Sequence, residues 1–236
     1  MTSVAPTTTS ASPVFLPGAE LALAGLSLAT AAGFWRVFDR ASFLPPLFAV
    51  VIVSHLVMVL GRRRGWGVPL TAVVSAGAAV LAILWLVFPD ATANGLPTGQ
   101  TVAAVVDALQ DSYHQFGNIL APAVPEPGFV VASAVALYFA VFLADWAAFR
   151  LWSSFEAVVP ATTLFLFCAL LGANHRVLSA SIFLAALLLF LLLHRIARQE
   201  SSSGWLTGEP ARRDSAPSSG APASSSSSPA TSISRA

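Results

Sequence analysis

The stretch that decides the fold is VLSASIFLAALLLFLLLH, residues 177–194, which contains no Asp, Glu, Lys or Arg. A bilayer core about 30 Å thick needs roughly 20 consecutive apolar residues of helix to cross it, and this stretch comes close to that length. Five other apolar runs precede it along the chain. We therefore predict an all-α, polytopic membrane helix bundle with about six transmembrane helices, at about residues 18–38, 42–60, 68–88, 128–148, 157–172 and 177–194.

The composition of the whole chain agrees with a membrane protein. Hydrophobic residues make up 56% of its 236 residues and charged residues only 10%, whereas about 25% of an ordinary soluble domain is charged. The formal net charge is only +1 and the basic residues are scattered. Nucleic acid is therefore not expected as a partner, and the lipid bilayer is the expected environment.

The sequence divides the chain into three parts. Residues 1–17 are rich in Thr, Ser, Pro and Ala and lack a basic residue, so they predict a disordered lead rather than a signal peptide. Residues 18–196 form the predicted transmembrane helix domain. Residues 197–236 become rich in Ser, Pro and Ala, a composition that cannot bury enough apolar surface to offset its ordering entropy and therefore predicts a disordered tail.

The long connection of residues 89–127 is predicted to be external. It contains no basic residue, whereas cytoplasmic loops are enriched in Lys and Arg. The bundle is predicted to lie in the plasma membrane. In this orientation the amino terminus and the tail are cytoplasmic. Apolar residues at helical spacing predict an external amphipathic helix at about residues 101–120. This helix is expected to pack over the ends of the spans or to contact an external domain.

Ionisable residues inside the spans are the first functional candidates, because placing them in lipid is costly. His55 lies near the middle of the second span, but no His, Cys or carboxylate lies one helical turn away. We expect it to be a core histidine that donates to a neighbouring carbonyl or hydroxyl. Asp145, Arg150 and Glu156 form a second group, in which Arg150 could pair with either carboxylate. An interfacial charge pair is the favoured interpretation of this group.

Neither the cysteine nor any other residue predicts catalysis. The single cysteine, Cys168, lies in an apolar run and is expected to be part of the core rather than a nucleophile. No catalytic, cofactor-binding or metal-binding residue is assigned from the sequence. The chain is therefore not expected to be an enzyme or to carry a cofactor.

Small residues predict how the spans pack, because lipid provides no hydrophobic drive between helices. Two strips of small residues are the expected contact strips: Ala24, Gly25 and Ser27 in the first span, and residues 75–78 in the third. On this basis Gly77→Leu should disrupt the bundle more than Leu188→Ala in the leucine-rich sixth span.

The layout of the chain resembles a known family. The turn GRRRG at 61–65, the loop LPTG at 96–99 with its amphipathic helix, and FLADWAAFRL at 142–151 together resemble the amino-terminal membrane domain of bacterial transglutaminase-like membrane proteins. The resemblance covers about residues 17–206. It implies a further span and an extracytoplasmic, papain-type domain that carries a Cys-His-Asp catalytic set. Nothing in this chain corresponds to that domain, so no catalytic residue is carried over.

The resemblance implies a non-catalytic integral membrane anchor or scaffold. The Ser/Pro-rich tail is then expected to mark a truncation before the catalytic domain, or else to be a native flexible tail. The expected partners besides lipid are an external transglutaminase-like domain or another membrane protein. The alternative is a small transporter or channel component that uses His55 and the group of Asp145, Arg150 and Glu156.

Overall fold

The computed structural model describes residues 16–93, 95–117, 122–172 and 175–203. Most of the predicted lead and most of the predicted tail lie outside the described residues. The helix of the sixth span extends to Ser203, so residues 197–203, which the sequence assigned to the tail, are helical.

The described residues form an all-α structure, as predicted. Within these residues six helices are long and apolar enough to cross a membrane, which identifies a polytopic membrane helix bundle. The remaining described helix, α4, is the amphipathic one and lies between the third and fourth spans. The helices are α1 (Leu16–Gly33), α2 (Leu44–Arg63), α3 (Val68–Val87), α4 (Gly99–Gln115), α5 (Pro127–Phe149), α6 (Ser154–Leu171) and α7 (Arg176–Ser203).

Successive spans run antiparallel, so the bundle has two distinct ends. We call one the Arg62 end: it contains the first turn of α1, the α2–α3 turn, the α5–α6 turn and the last turns of α7. The opposite end, called the α4 end, contains α4 and the short 3-10 turns Phe34–Arg36, Ala41–Phe43 and Pro89–Ala91. At the α4 end, Ala123 exchanges backbone hydrogen bonds with Val37 and Asp39.

Helices α2 and α5 form the centre of the bundle. Helix α2 packs against α1, α3 and α5, while α5 also packs against α6 and α4. Helix α7 lies at the periphery, mainly against α1. Two clusters of buried apolar side chains result, one around α2 and α5 and the other where α1, α5, α6 and α7 meet.

The two predicted contact strips lie in different helix interfaces: Ser27 of the first strip is hydrogen-bonded to His55 of α2, and Ser75 of the second to Tyr138 of α5. Helix α1 packs mainly on α7 and α2, and α3 packs on α2 and α5. A Cβ atom at either Gly25 or Gly77 would meet no heavy atom within 4 Å. Gly77 lies on the exposed face of an edge helix, so the structure removes the reason to expect disruption by Gly77→Leu.

Helix α4 is the predicted amphipathic helix. Thr98 caps its first turn, and the Thr101 hydroxyl oxygen accepts a hydrogen bond from the backbone N–H of Thr98. Thr101 also donates to the carbonyl of Ala91, which ties the helix start to the preceding turn. The helix ends at Gln115, and the predicted extension to residue 120 enters residues 118–121, outside the described chain.

Helix α4 packs across the beginning of α5, over the ends of the spans. The contact is close at Gly128, where a Cβ atom would overlap the carbonyl oxygen of Ala108 and the hydroxyl of Ser112. Glycine is therefore the residue that allows the two backbones to approach this closely.

Candidate functional site

A cluster of charged side chains lies at the Arg62 end. Arg62, in the last turn of α2, binds Glu20 of α1, with 2.7 Å between Nη2 and Oε1. Its Nη1 donates to both carboxylate oxygens of Asp145 in α5. The Arg62, Glu20 and Asp145 side chains are only 14%, 10% and 6% exposed. One guanidinium thus links three helices at a largely buried position.

Two other residues complete this cluster. The Phe149 ring lies under the Arg62 guanidinium, with 4.3 Å from Cζ to the ring centroid, a distance at which a cation is attracted to a ring face. Arg63 approaches Glu20 at 3.5 Å, but its side chain is 66% exposed. Arg62 can make these contacts together because its planar guanidinium donates at its edges and stacks through its face. The cluster therefore contains one buried carboxylate, that of Asp145, beside the partly buried carboxylate of Glu20 and the partly buried guanidinium of Arg62.

Both pairings predicted for Arg150 are wrong. Its Nη2 donates to the backbone carbonyl of Trp66 at 3.0 Å, and Asp145 is paired with Arg62 instead. Arg150 follows the last residue of α5, and its spacing of five from Asp145 does not bring the two onto the same face. Glu156 is exposed in the first turn of α6, where its backbone N–H donates to the Ser153 hydroxyl.

His55 forms a hydrogen bond inside the bundle. The Ser27 hydroxyl donates to the Leu23 carbonyl at 3.0 Å, so the Nε2–H of His55 donates to the Ser27 oxygen at 3.1 Å. This contact joins α2 to α1, as expected of a core histidine. The neighbouring Ser54 hydroxyl is also buried, but it has no hydrogen-bond partner within the described residues.

The sequence did not identify a second polar contact at the Arg62 end. The Ser154 hydroxyl donates to Nδ1 of His194 at 2.8 Å, and Nε2–H of His194 donates to the Ala148 carbonyl at 2.8 Å. Trp152 adopts a left-handed backbone conformation with φ of 55° in the short α5–α6 turn. This turn brings Ser154 to the last part of α7.

A serine beside a histidine can form a nucleophile and base, but here the histidine is enclosed. His194 is fully buried, and its ring is surrounded by the aromatic side chains of Phe149, Trp152 and Phe190. Both ring nitrogens are used in holding the α5–α6 turn against α7. The geometry therefore fits a structural tie between helices.

At the α4 end, Arg36 makes a similar polar contact between elements. Arg36 is only 4% exposed, and its Nη2 donates to the carbonyls of Ala169 and Gly172 at 3.0 and 2.6 Å. A cation at this position complements the partial negative charge at the carboxyl end of α6. A Cβ atom at Gly172 would overlap Arg36, so glycine allows this close approach.

Cys168 and the other possible ligands form no metal site in the described part of the chain. Cys168 is fully buried in the apolar cluster around α2 and α5. Among the described residues there is no group of three or more His, Cys, Asp or Glu side chains that could hold a metal ion.

Three cavities of the described structure lie away from these polar residues. His55, Arg62, Asp145 and His194 line none of these three. One, of about 790 Å³, lies at the α4 end between α4, α5 and α6. We found no match to this chain among protein-family models, curated proteins or solved structures.

Proposed function

We propose that this chain is a non-catalytic integral membrane anchor or scaffold. The observation that supports the proposal is the use made of the polar side chains within the bundle. Arg62 joins three helices through Glu20 and Asp145, and His55 joins two through Ser27. Polar residues inside a membrane are costly unless they are paired. Here their pairing stabilises one arrangement of helices, which is what an anchor requires.

The proposed role of the anchor is to hold an external domain or a second membrane protein at the α4 end. The resemblance to membrane domains of transglutaminase-like proteins indicates what kind of domain this would be. Asp107 and Asp111 lie on the exposed face of α4, where they are available to such a partner.

The proposed orientation places the Arg62 end in the cytoplasm of a cell and the α4 end outside its plasma membrane. The Arg62 end carries Arg62, Arg63, Arg64, Arg150, Arg195 and Arg198, whereas the α4 end carries Arg36, Arg40 and Arg176. Positive residues favour the cytoplasmic side. In addition, Arg36 is buried against the end of α6.

A small transporter or channel component is the second candidate. The observation that favours it is the meeting of two carboxylates at Arg62, since Glu20 and Asp145 both bind its partly buried guanidinium. His55 lies on the same helix, about two turns further into the bundle. Buried carboxylates and histidines occur in the proton relays of membrane pumps.

Flux measurements separate the two candidates. Purified protein is reconstituted into vesicles, and the decay of an imposed pH gradient is followed with a trapped dye. The scaffold proposal expects the same decay in protein-containing and empty vesicles. The transporter proposal instead expects the pH gradient to decay faster in vesicles with wild-type protein than in empty ones. If His55→Ala abolishes this faster decay and the control Ser54→Ala does not, the scaffold proposal is wrong.

A further inference from the structure

The cavity at the α4 end has the size and lining of a ligand site. Its volume of about 790 Å³ falls within the range of roughly 300–1,000 Å³ that is typical of small-molecule pockets. Aromatic and aliphatic side chains from four elements form most of its wall, among them Phe34, Phe129, Leu164 and Phe167. Such a wall fits a hydrocarbon ligand.

The depth of the cavity corresponds to one leaflet of a bilayer. On α5 its lining extends from Gly128 to Ala136, a rise of roughly 12 Å along a helix. Half of a hydrocarbon core about 30 Å thick is close to that length. The cavity therefore has the reach of an acyl chain that enters from the leaflet at the α4 end.

The mouth of the cavity is continuous with an apolar strip on α4. Val102, Val106, Tyr113 and Phe116 of this strip are exposed, and Tyr113 and Phe116 also line the cavity. An amphipathic helix places such a strip at the boundary between headgroups and acyl chains. In that position α4 brings the cavity mouth to lipid rather than to bulk water.

The polar groups near the mouth favour a cationic group on the ligand. Gln110 and His114 of α4 line the cavity, and Asp107 and Asp111 are exposed on the same helix, which has no Lys or Arg. The described α4 end carries five acidic residues and three arginines. They are Asp39, Asp90, Asp107, Asp111 and Glu126, with Arg36, Arg40 and Arg176.

We propose that this cavity binds one acyl chain of a bilayer phospholipid whose headgroup carries an ammonium group. The chain occupies the apolar wall between α5 and α6, and the ammonium group lies towards Asp107 and Asp111 of α4. Anionic headgroups without an ammonium are disfavoured by these two carboxylates. The site uses none of the residues of the Arg62 cluster, and only its headgroup contacts, Asp107 and Asp111, are shared with the surface proposed for a partner domain.

The proposal is tested with a photoactivatable phosphatidylethanolamine that carries a diazirine at the end of one acyl chain. The full-length protein is placed in lipid nanodiscs with this probe, irradiated, digested and analysed by mass spectrometry. We expect labelling to be at least fivefold denser on residues 129–136 and 164–171 than on the exposed face of α7. Leu184 and Leu188 of α7 face outward. If this face of α7 is labelled as densely as the cavity wall, the probe reports only annular lipid and the proposed site is wrong.

Adjacent substitutions on α5 provide a matched control. Ala136 lines the cavity and Val135 does not, and both side chains are exposed. Ala136→Phe should fill the cavity and reduce labelling at least fivefold, whereas Val135→Phe should leave it unchanged. Ala132→Leu provides a second filling variant at another exposed position of the wall. Undiminished labelling in both filling variants contradicts the proposal.

The headgroup part is tested separately with a phosphatidylglycerol probe of identical chains. We expect the ethanolamine probe to label the cavity at least threefold more than the glycerol probe. The double variant Asp107→Asn/Asp111→Asn should reduce that ratio towards one. Equal labelling of the wild type by the two probes would overturn the choice of headgroup. If a photoactivatable free fatty acid labels the cavity more strongly than both, the cavity is instead a fatty-acid site.

Discussion

At the scale of single residues, Arg62 links three helices. It is the common partner of Glu20 and Asp145, which come from two other helices. The charges of the two carboxylates are compensated largely through this one side chain. Loss of one partner from a buried ion pair is costly because it leaves an uncompensated charge.

Arg62→Gln should therefore destabilise the bundle by about 3–5 kcal/mol, the cost of breaking a buried ion pair. Arg64→Gln is the control, because Arg64 is exposed two residues later in the same turn. The free energy of unfolding in mixed micelles measures both. Equal losses for the two variants would show that Arg62 does not hold the three helices together.

Ser27 and Ser54 form a matched pair for the histidine contact. Ser27→Ala leaves the Nε2–H of His55 without its partner and should cost about 0.6–1.7 kcal/mol, as for hydrogen bonds between membrane helices. Ser54 has no partner within the described residues, so Ser54→Ala should be neutral or stabilising. The same unfolding measurement tests both, and a larger loss for Ser54→Ala would contradict the assigned contact.

At the scale of elements, the position of α4 depends on its close approach to α5. Gly128 lies directly against the Ala108 carbonyl and Ser112. A side chain at this position requires the two helices to separate, because the obstructing atoms include backbone.

Gly128→Ala should destabilise the protein by about 1–3 kcal/mol, as insertion of a methyl group into a packed contact does. Gly77→Ala on the exposed face of α3 should instead be neutral or stabilise by up to about 1 kcal/mol, because alanine is the better helix former. Thermal unfolding ranks the two variants, and limited proteolysis reports whether α4 is released. A stable Gly128→Ala with α4 protected would disprove the close contact.

The sequence predicts elements well because their signals are local. Apolar runs and helical spacing identify six spans and α4, and their ends differ from the structure by a few residues at most positions. The partner of Asp145 could not be predicted, because it depends on which helices are neighbours. His194 shows the same limit: its partner Ser154 is forty residues away and reaches it only through the tight turn at Trp152.

At the scale of the whole molecule, the bundle has chemically different ends. The Arg62 end carries six arginines, and the α4 end carries α4, the large cavity and most of the exposed carboxylates. This asymmetry is the basis of the proposed orientation.

Single cysteines test that orientation. Cys168→Ala provides a background without cysteine, since Cys168 is the only one in the chain. In this background, an impermeant maleimide should label Ala103→Cys, at an exposed position of α4 outside the cavity, in intact cells and Arg64→Cys only after permeabilisation. The opposite pattern would place the Arg62 end outside.

The positions of the three charged residues along the chain also set an order of assembly during synthesis. Glu20 and Arg62 leave the ribosome within the first two spans, whereas Asp145 follows 83 residues after Arg62. The nascent α1–α2 hairpin thus enters the membrane with its carboxylate and guanidinium already able to neutralise one another. Nη1 of Arg62 has its partner, Asp145, only after α5 has been synthesised. We therefore expect α5 to join the α1–α2 hairpin through Asp145 and the remaining helices to pack around it.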